Sequence, residues 1–133
     1  MDIDFAFICD YAEVSTKINA LGIGFDTILA PTVPVTHPHL SIVIQLKTSV
    51  AEAGEKNLEA HLIDEDGKEV IPPVKGKFNV PKPSAGVESV GRIAMEFHDV
   101  QFPKYGSYAF HITIDGHEKC RIPIRVSRPP STA

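Results

Sequence analysis

The chain has no tryptophan, only two cysteines in 133 residues, and no apolar run near the ~18–20 residues that a membrane-crossing helix needs. Without tryptophan, and without aromatics interleaved among basic residues, it lacks the stacking platform used to hold single-stranded nucleic acid. No nucleic-acid partner and no membrane partner are expected. The cysteines, Cys9 and Cys120, lie far apart in apolar stretches and form no CxxC. They read as two buried thiols of a cytoplasmic protein rather than as a disulfide or a redox pair. The opening MDIDFAFICDY has neither a basic leader nor a small-residue cleavage site, which agrees with a cytoplasmic location.

Motifs of catalysis are missing as well. There is no GxSxG, no phosphate-binding P-loop and no HExxH. ALGIGFDTI has two glycines but not the third glycine and following helix of a dinucleotide site. Ser15, Ser41 and Ser107 have no local base. No catalytic residue is assigned, no cofactor is implied, and the chain is expected not to be an enzyme, although a triad assembled from distant residues would leave no local mark.

No stretch carries a 3.6-residue apolar stripe over about eleven residues. Alternation takes its place. In DIDFAFICDY the apolar positions are Ile3, Phe5, Phe7 and Cys9; in LSIVIQLKTS they are Leu40, Ile42, Ile44 and Leu46. Leu58, Ala60 and Leu62 form one face of NLEAHLI, and Val74, Phe78 and Val80 one face of VKGKFNV. The pattern continues through Ile93, Met95 and Phe97, then Tyr108, Phe110, Ile112 and Ile114, then Cys120, Ile122, Ile124 and Val126. A period of two is the mark of half-buried strands. It predicts about eight: near 2–10, 17–29, 40–49, 57–64, 68–80 with a break at Pro72-Pro73, 89–99, 107–115 and 118–127. Val50–Lys56 reads as a connection with one helical turn.

Asp66-Gly67 and Asp115-Gly116 predict hairpins, the second of type I′. Pro123, inside the last strand, cannot donate to a ladder, so that strand is an edge or has position 123 pointing away from its neighbour. These elements predict an all-β chain: an antiparallel two-sheet β-sandwich, one domain over residues 1–128 with a flexible tail at 129–133. The stretch KYGSYAFHI, with Gly106 two residues before Tyr108, resembles the tyrosine corner of immunoglobulin-like sandwiches. Lys104 stands where an acidic residue is usual.

FAFICDYAEVSTKINALGIGFDTILAPTVPVTHPH, followed by a β-rich chain ending in YGSYAFHITIDG, resembles a family of short bacterial proteins known only as a domain of unknown function. The resemblance spans nearly the whole chain. Its most recognisable parts are Cys9-Asp10-Tyr11, Asn19 to Ile23, Asp26 and His37-Pro38. It implies a bacterial origin and a small self-contained protein, and it transfers no catalytic residue.

Four groups were weighed as sites. His37 and His39 flank Pro38; two histidines at i and i+2 on a strand point the same way and can share a metal, with a third ligand from His61, His98, His111 or His117. The favoured reading is a proline-rich bend between strands, and no metal is assigned. Asp64, Glu65 and Asp66, joined by Asp99 or Asp115, allow a calcium- or carbohydrate-binding sandwich; a solvated hairpin tip is favoured. Lys119, Arg121 and Arg125 form an outward basic row that protects an edge or meets an acidic partner. Gly22 and Gly24 bare one side of a strand where another chain could dock.

Charge is divided along the chain: residues 1–66 hold 11 acidic and 3 basic side chains, residues 67–133 hold 6 and 10. Such a split can steer one copy onto another. The expected function is a non-catalytic protein-interaction module, a homo-oligomer or the binder of a protein partner, acting through Gly22, Gly24, Lys119, Arg121 and Arg125. The alternatives are a histidine-based metal-binding protein or hydrolase, and the calcium or carbohydrate binder.

Overall fold

The computed structural model describes residues 1–82 and 89–130 and resolves the alternation into ten strands. They are β1 (Asp2–Cys9), β2 (Tyr11–Val14), β3 (Ile18–Leu21), β4 (Thr27–Leu29), β5 (Val35–Thr48), β6 (Gly54–Asp64), β7 (Val74–Val80), β8 (Ser89–Phe102), β9 (Gly106–Ile114) and β10 (His117–Ser127). One 3-10 turn, Val50–Glu52, interrupts them, and no α-helix occurs among the described residues. None is therefore long and apolar enough to cross a membrane.

Three sheets result: β1-β5-β8, β4-β10-β9-β6-β7, and the hairpin β2-β3. The two larger sheets share one core. Leu40, Ile42, Ile44 and Leu46 of β5 meet Leu58 and Leu62 of β6 and Phe110 and Ile112 of β9 in it. Phe97 of β8 and Phe110 of β9 stand with ring centroids 5.1 Å apart, and Phe102 meets Tyr108 edge-on at the same separation. Burying a side chain of this size contributes roughly 1.5–3 kcal/mol.

The all-β expectation holds; the layout of an antiparallel two-sheet sandwich with about eight strands needs correction. A third sheet is present, and β4 runs parallel to β10, pairing Thr27–Leu29 with Arg125–Ser127. The strand expected over 17–29 is two strands, because Gly22 and Gly24 take positive φ values of 69° and 82° and turn the chain from β3 toward β10. The expected break at Pro72-Pro73 is real, with β7 starting at Val74. The tail expected at 129–133 falls, for residues 131–133, outside the described residues.

A bulge between Ile3 and Phe5 shifts the register of β1 against β5. One extra residue moves every later side chain to the other face. Ile3, Ala6 and Ile8 consequently pack on the core cluster, and Phe5 and Phe7 do not. Cys9 is fully buried, as alternation predicts, but outside that cluster. Alternation alone places Phe5 and Phe7 inside as well.

The bend between strands expected at His37-Pro38-His39 is also corrected: β5 continues through it as one strand. β1 ends at Cys9, opposite Ser41, so the stretch from Val35 to Leu40 pairs with β8 alone. A proline facing the vacant side forfeits no ladder bond. Pro123 obeys the same rule, since β4 reaches only Arg125–Ser127 and leaves the earlier part of β10 paired with β9 alone.

Both hairpin turns form as expected. Gly67 has φ 81° and donates its N–H to the Asp64 carbonyl at 3.0 Å. Asp115 and Gly116 have φ 49° and 80°, two positive values in succession as a type I′ turn requires. The Tyr108 hydroxyl donates to the Lys104 carbonyl at 2.6 Å and accepts from the Lys104 N–H at 3.2 Å, which closes the tyrosine corner.

Candidate functional site

The β2-β3 hairpin is short and small-residue rich. Its pairs Ala12–Ala20 and Val14–Ile18 are half-buried, while Tyr11, Glu13, Asn19 and Leu21 are exposed. The hairpin packs on β5 and β8, and Tyr11 stacks on His39 with centroids 4.5 Å apart and planes 16° from parallel. Tyr11 is 60% exposed, Leu21 70% and Ile23 60%. These three large apolar side chains, with Ala12, Ile18 and Ala20 and the polar Glu13 and Asn19, line an open depression of about 630 Å³.

Gly22 and Gly24 lie in the turn beside it, not on a strand face. The turn is stitched to the end of β1: the Asp10 N–H donates to the Leu21 carbonyl at 2.9 Å, and the Gly24 N–H to the Ile8 carbonyl at 2.8 Å. A side chain at Gly22 would meet the Asp10 carboxylate at 2.1 Å; at Gly24 it would meet nothing. Ile23 and Leu29 border a second hollow around the turn, of about 510 Å³, that also touches Asp10 and His37.

His37 and His39 do not act as the pair their spacing suggests. The burial pattern of β5 changes phase between them, and that of β8 changes at the same level: His37 faces Val100, His39 faces His98, and Pro38 and Asp99 lie between these pairs. Asp99 has φ 50°. The His37 ring rests on Phe25 at 5.6 Å, and burial depresses its pKa below the usual histidine range. The His39 ring is held between Tyr11 and His98, the latter at 4.9 Å. Its Nδ1 bonds the Asp10 carbonyl at 2.6 Å. A carbonyl only accepts, so Nδ1 carries a proton, and in the neutral ring Nε2 keeps its lone pair.

His98 and Glu96 are two residues apart on β8, both exposed, with His98 Nε2 3.9 Å from a Glu96 oxygen. His39, Glu96 and His98 each offer a ligand atom, and these atoms lie within 4.8 Å of one another. It is the one such group among the described residues. Glu96 was not foreseen, and His98 was named only as one distant histidine among four. The exposed positions of GRIAMEFHDV held a signal, since Glu96 and His98 share the wet face, but the partner on β5 depended on register.

Arg121 and Arg125 are exposed on β10, while Lys119 is half-buried at a bulge between Glu118 and Cys120. Arg121 is already spoken for: its guanidinium bonds Glu118 at 2.5 Å, which also lies 3.2 Å from His111. The row is therefore not a uniform cationic strip. On β6, beyond β9 in the same sheet, His61 bonds Glu69, and Glu59 at 3.1 Å. The Glu69 carboxylate, aided by Glu59, holds the His61 pKa above its ordinary value of 6.5.

Two carboxylates of the acidic hairpin, those of Asp64 and Asp66, are engaged. One Asp64 oxygen accepts the N–H groups of Asp66 and Lys68, both at 2.9 Å, which depresses the Asp64 pKa, and Lys104 Nζ lies 3.1 Å from Asp66. Asp115 sits at the opposite end of the β6-β9 ladder, capping the Asn57 N–H at 2.8 Å, and does not join the cluster. Both cysteines are free; Cys9 is fully buried, and burial pushes both thiols up.

A family model described as "Family of unknown function (DUF6941)" matches residues 4–127. No curated protein matches the chain. A solved structure of the Pseudomonas fluorescens alkylpurine DNA glycosylase AlkC, bound to DNA containing an abasic site analog, is similar over 93% of this chain, at 13% identity and a TM-score of 0.47. This chain spans 30% of that one. A likeness that low carries no argument about activity.

Proposed function

Since the chain belongs to DUF6941, a family of unknown function, we propose its role from its own surface: a non-catalytic, cytoplasmic protein-interaction module that docks through the β2-β3 hairpin and its glycine turn. The two larger sheets and the tyrosine corner at Tyr108 support reading the body as an immunoglobulin-like scaffold that presents this hairpin.

One observation carries the proposal. Tyr11, Leu21 and Ile23, adjacent around one depression, leave well over half of their surface in water. Contiguous apolar surface of this kind marks docking sites. Full burial of each side chain is worth roughly 1.5–3 kcal/mol, enough for three together to offset much of the cost of association. Among the described residues β2 and β3 pair only with each other, so the hairpin also offers free backbone donors and acceptors at its edges. A second copy of this chain has the same free edge and the same apolar rim, so self-association is the first form to test.

Sedimentation velocity over a range of protein and salt concentrations, with wild type and the Leu21→Glu/Ile23→Glu double variant, provides the test. Wild type is expected to associate as concentration rises, and the variant to stay monomeric with an unchanged circular dichroism spectrum. A wild type that remains monomeric under every condition refutes self-association through this hairpin.

A further inference from the structure

We propose that His39, Glu96 and His98 form a binding site for one divalent transition-metal ion, with zinc the natural first candidate. The proposal goes beyond the docking role and does not depend on it.

Two imidazoles and one carboxylate are the donor set of zinc sites that keep an open position for water. The chain assembles that set without a sequence motif. His98 and Glu96 project from the same side of β8, and register places His39 of β5 directly opposite His98. The ligand atoms lie within 4.8 Å of one another, and tetrahedral zinc with bonds of about 2.0–2.2 Å holds its ligands about 3.3–3.6 Å apart. Binding therefore requires the exposed Glu96 and His98 side chains to rotate inward.

His39 is the ordered member. Its Nδ1–H is anchored on the Asp10 carbonyl, and its ring is clamped between Tyr11 and His98. Ligating histidines characteristically donate their other ring N–H to a carbonyl or carboxylate, which fixes the tautomer that leaves the ligating nitrogen free. At His39 the bond from Nδ1 leaves Nε2 as the nitrogen it can offer.

His37 is left out of the site because the phase change between His37 and His39 turns its ring onto Phe25. The cluster of His61 with Glu59 and Glu69 makes a useful control: its ring nitrogens are already engaged by carboxylates on both sides.

The test is calorimetric titration of untagged protein with zinc chloride near neutral pH, repeated for His98→Ala, Glu96→Ala and His61→Ala. All three positions are on outer faces, and circular dichroism checks each fold. Cobalt(II) substitution adds a visible absorption band that reports nitrogen and oxygen ligation. The expected result is one ion per chain for wild type and His61→Ala, with affinity reduced at least about tenfold in His98→Ala and in Glu96→Ala. Absence of saturable binding by wild type, or binding that His98→Ala and Glu96→Ala leave unchanged, overturns the proposal. Loss on His61→Ala alone moves any ion to the other cluster and overturns it equally.

Discussion

Alanine placed in turn at Gly22 and at Gly24 separates two costs that act on one short loop. Both glycines have positive φ, 69° and 82°. An alanine in that region is strained by about 1–2 kcal/mol. The unfolded chain loses freedom at the same time, which offsets about 0.4–1 kcal/mol of it. Gly24→Ala meets no atom, so its net cost should be about 0.5–1.5 kcal/mol from these two terms. At Gly22 the new Cβ would stand 2.1 Å from Asp10 Oδ2 and 2.6 Å from its Cγ. The Asp10 side chain must leave its rotamer or drag the β1 end with it, adding about 0.5–1.5 kcal/mol. Urea unfolding reads the difference. With a slope of about 1–3 kcal/mol/M, Gly24→Ala should lower the midpoint by a few tenths of a molar, and Gly22→Ala by about twice as much. In an Asp10→Ala background most of the extra cost at Gly22 should vanish, because the carboxylate makes the two closest contacts and only the Asp10 Cβ, at 3.2 Å, is left. Equal midpoints for the two glycine variants would refute the reasoning, and so would an extra penalty that Asp10→Ala leaves undiminished.

Two further outcomes follow from the fold. Tyr108→Phe keeps the ring packed on Phe102 but removes both bonds to the Lys104 backbone; because Lys104 is exposed and water can replace the phenol, the loss should be about 1–1.5 kcal/mol, seen as a melting temperature lower by a few degrees, and an unchanged melt would show the corner to be idle. His61 should titrate above 6.5 by NMR and move toward that value in Glu69→Gln. Because its folded pKa is raised, its contribution to stability is complete below about pH 6.5 and fades as pH climbs through the folded pKa; a wild-type His61 at or below 6.5 contradicts the bonded geometry.

Strands, turns and core residues could be read from local pattern wherever one residue's environment depends on its own neighbours. Leu58, Ala60 and Leu62, the core row of β9, and Ile122 to Val126 were legible because alternation against a single core has one solution. The type I′ turn at Asp115-Gly116 was legible because few residues accept two positive φ values in a row. In β1 the same method failed. The bulge after Ile3 is a property of the pairing with β5, and nothing in DIDFAFIC announces it.

What the amino-acid sequence determined alone is the class of structure: a period of two, punctuated by glycine and proline, commits each segment to a strand with one face indoors. Which strands become neighbours was settled only by tertiary structure. The end of β1 at Cys9 left Pro38 free to sit within a continuous strand, and the register of β5 on β8 brought His39 to His98 across 59 residues of chain. Alternation is encoded by adjacent residues, whereas a site formed across a ladder depends on register, and register is an energy of two segments packed together that neither segment carries by itself.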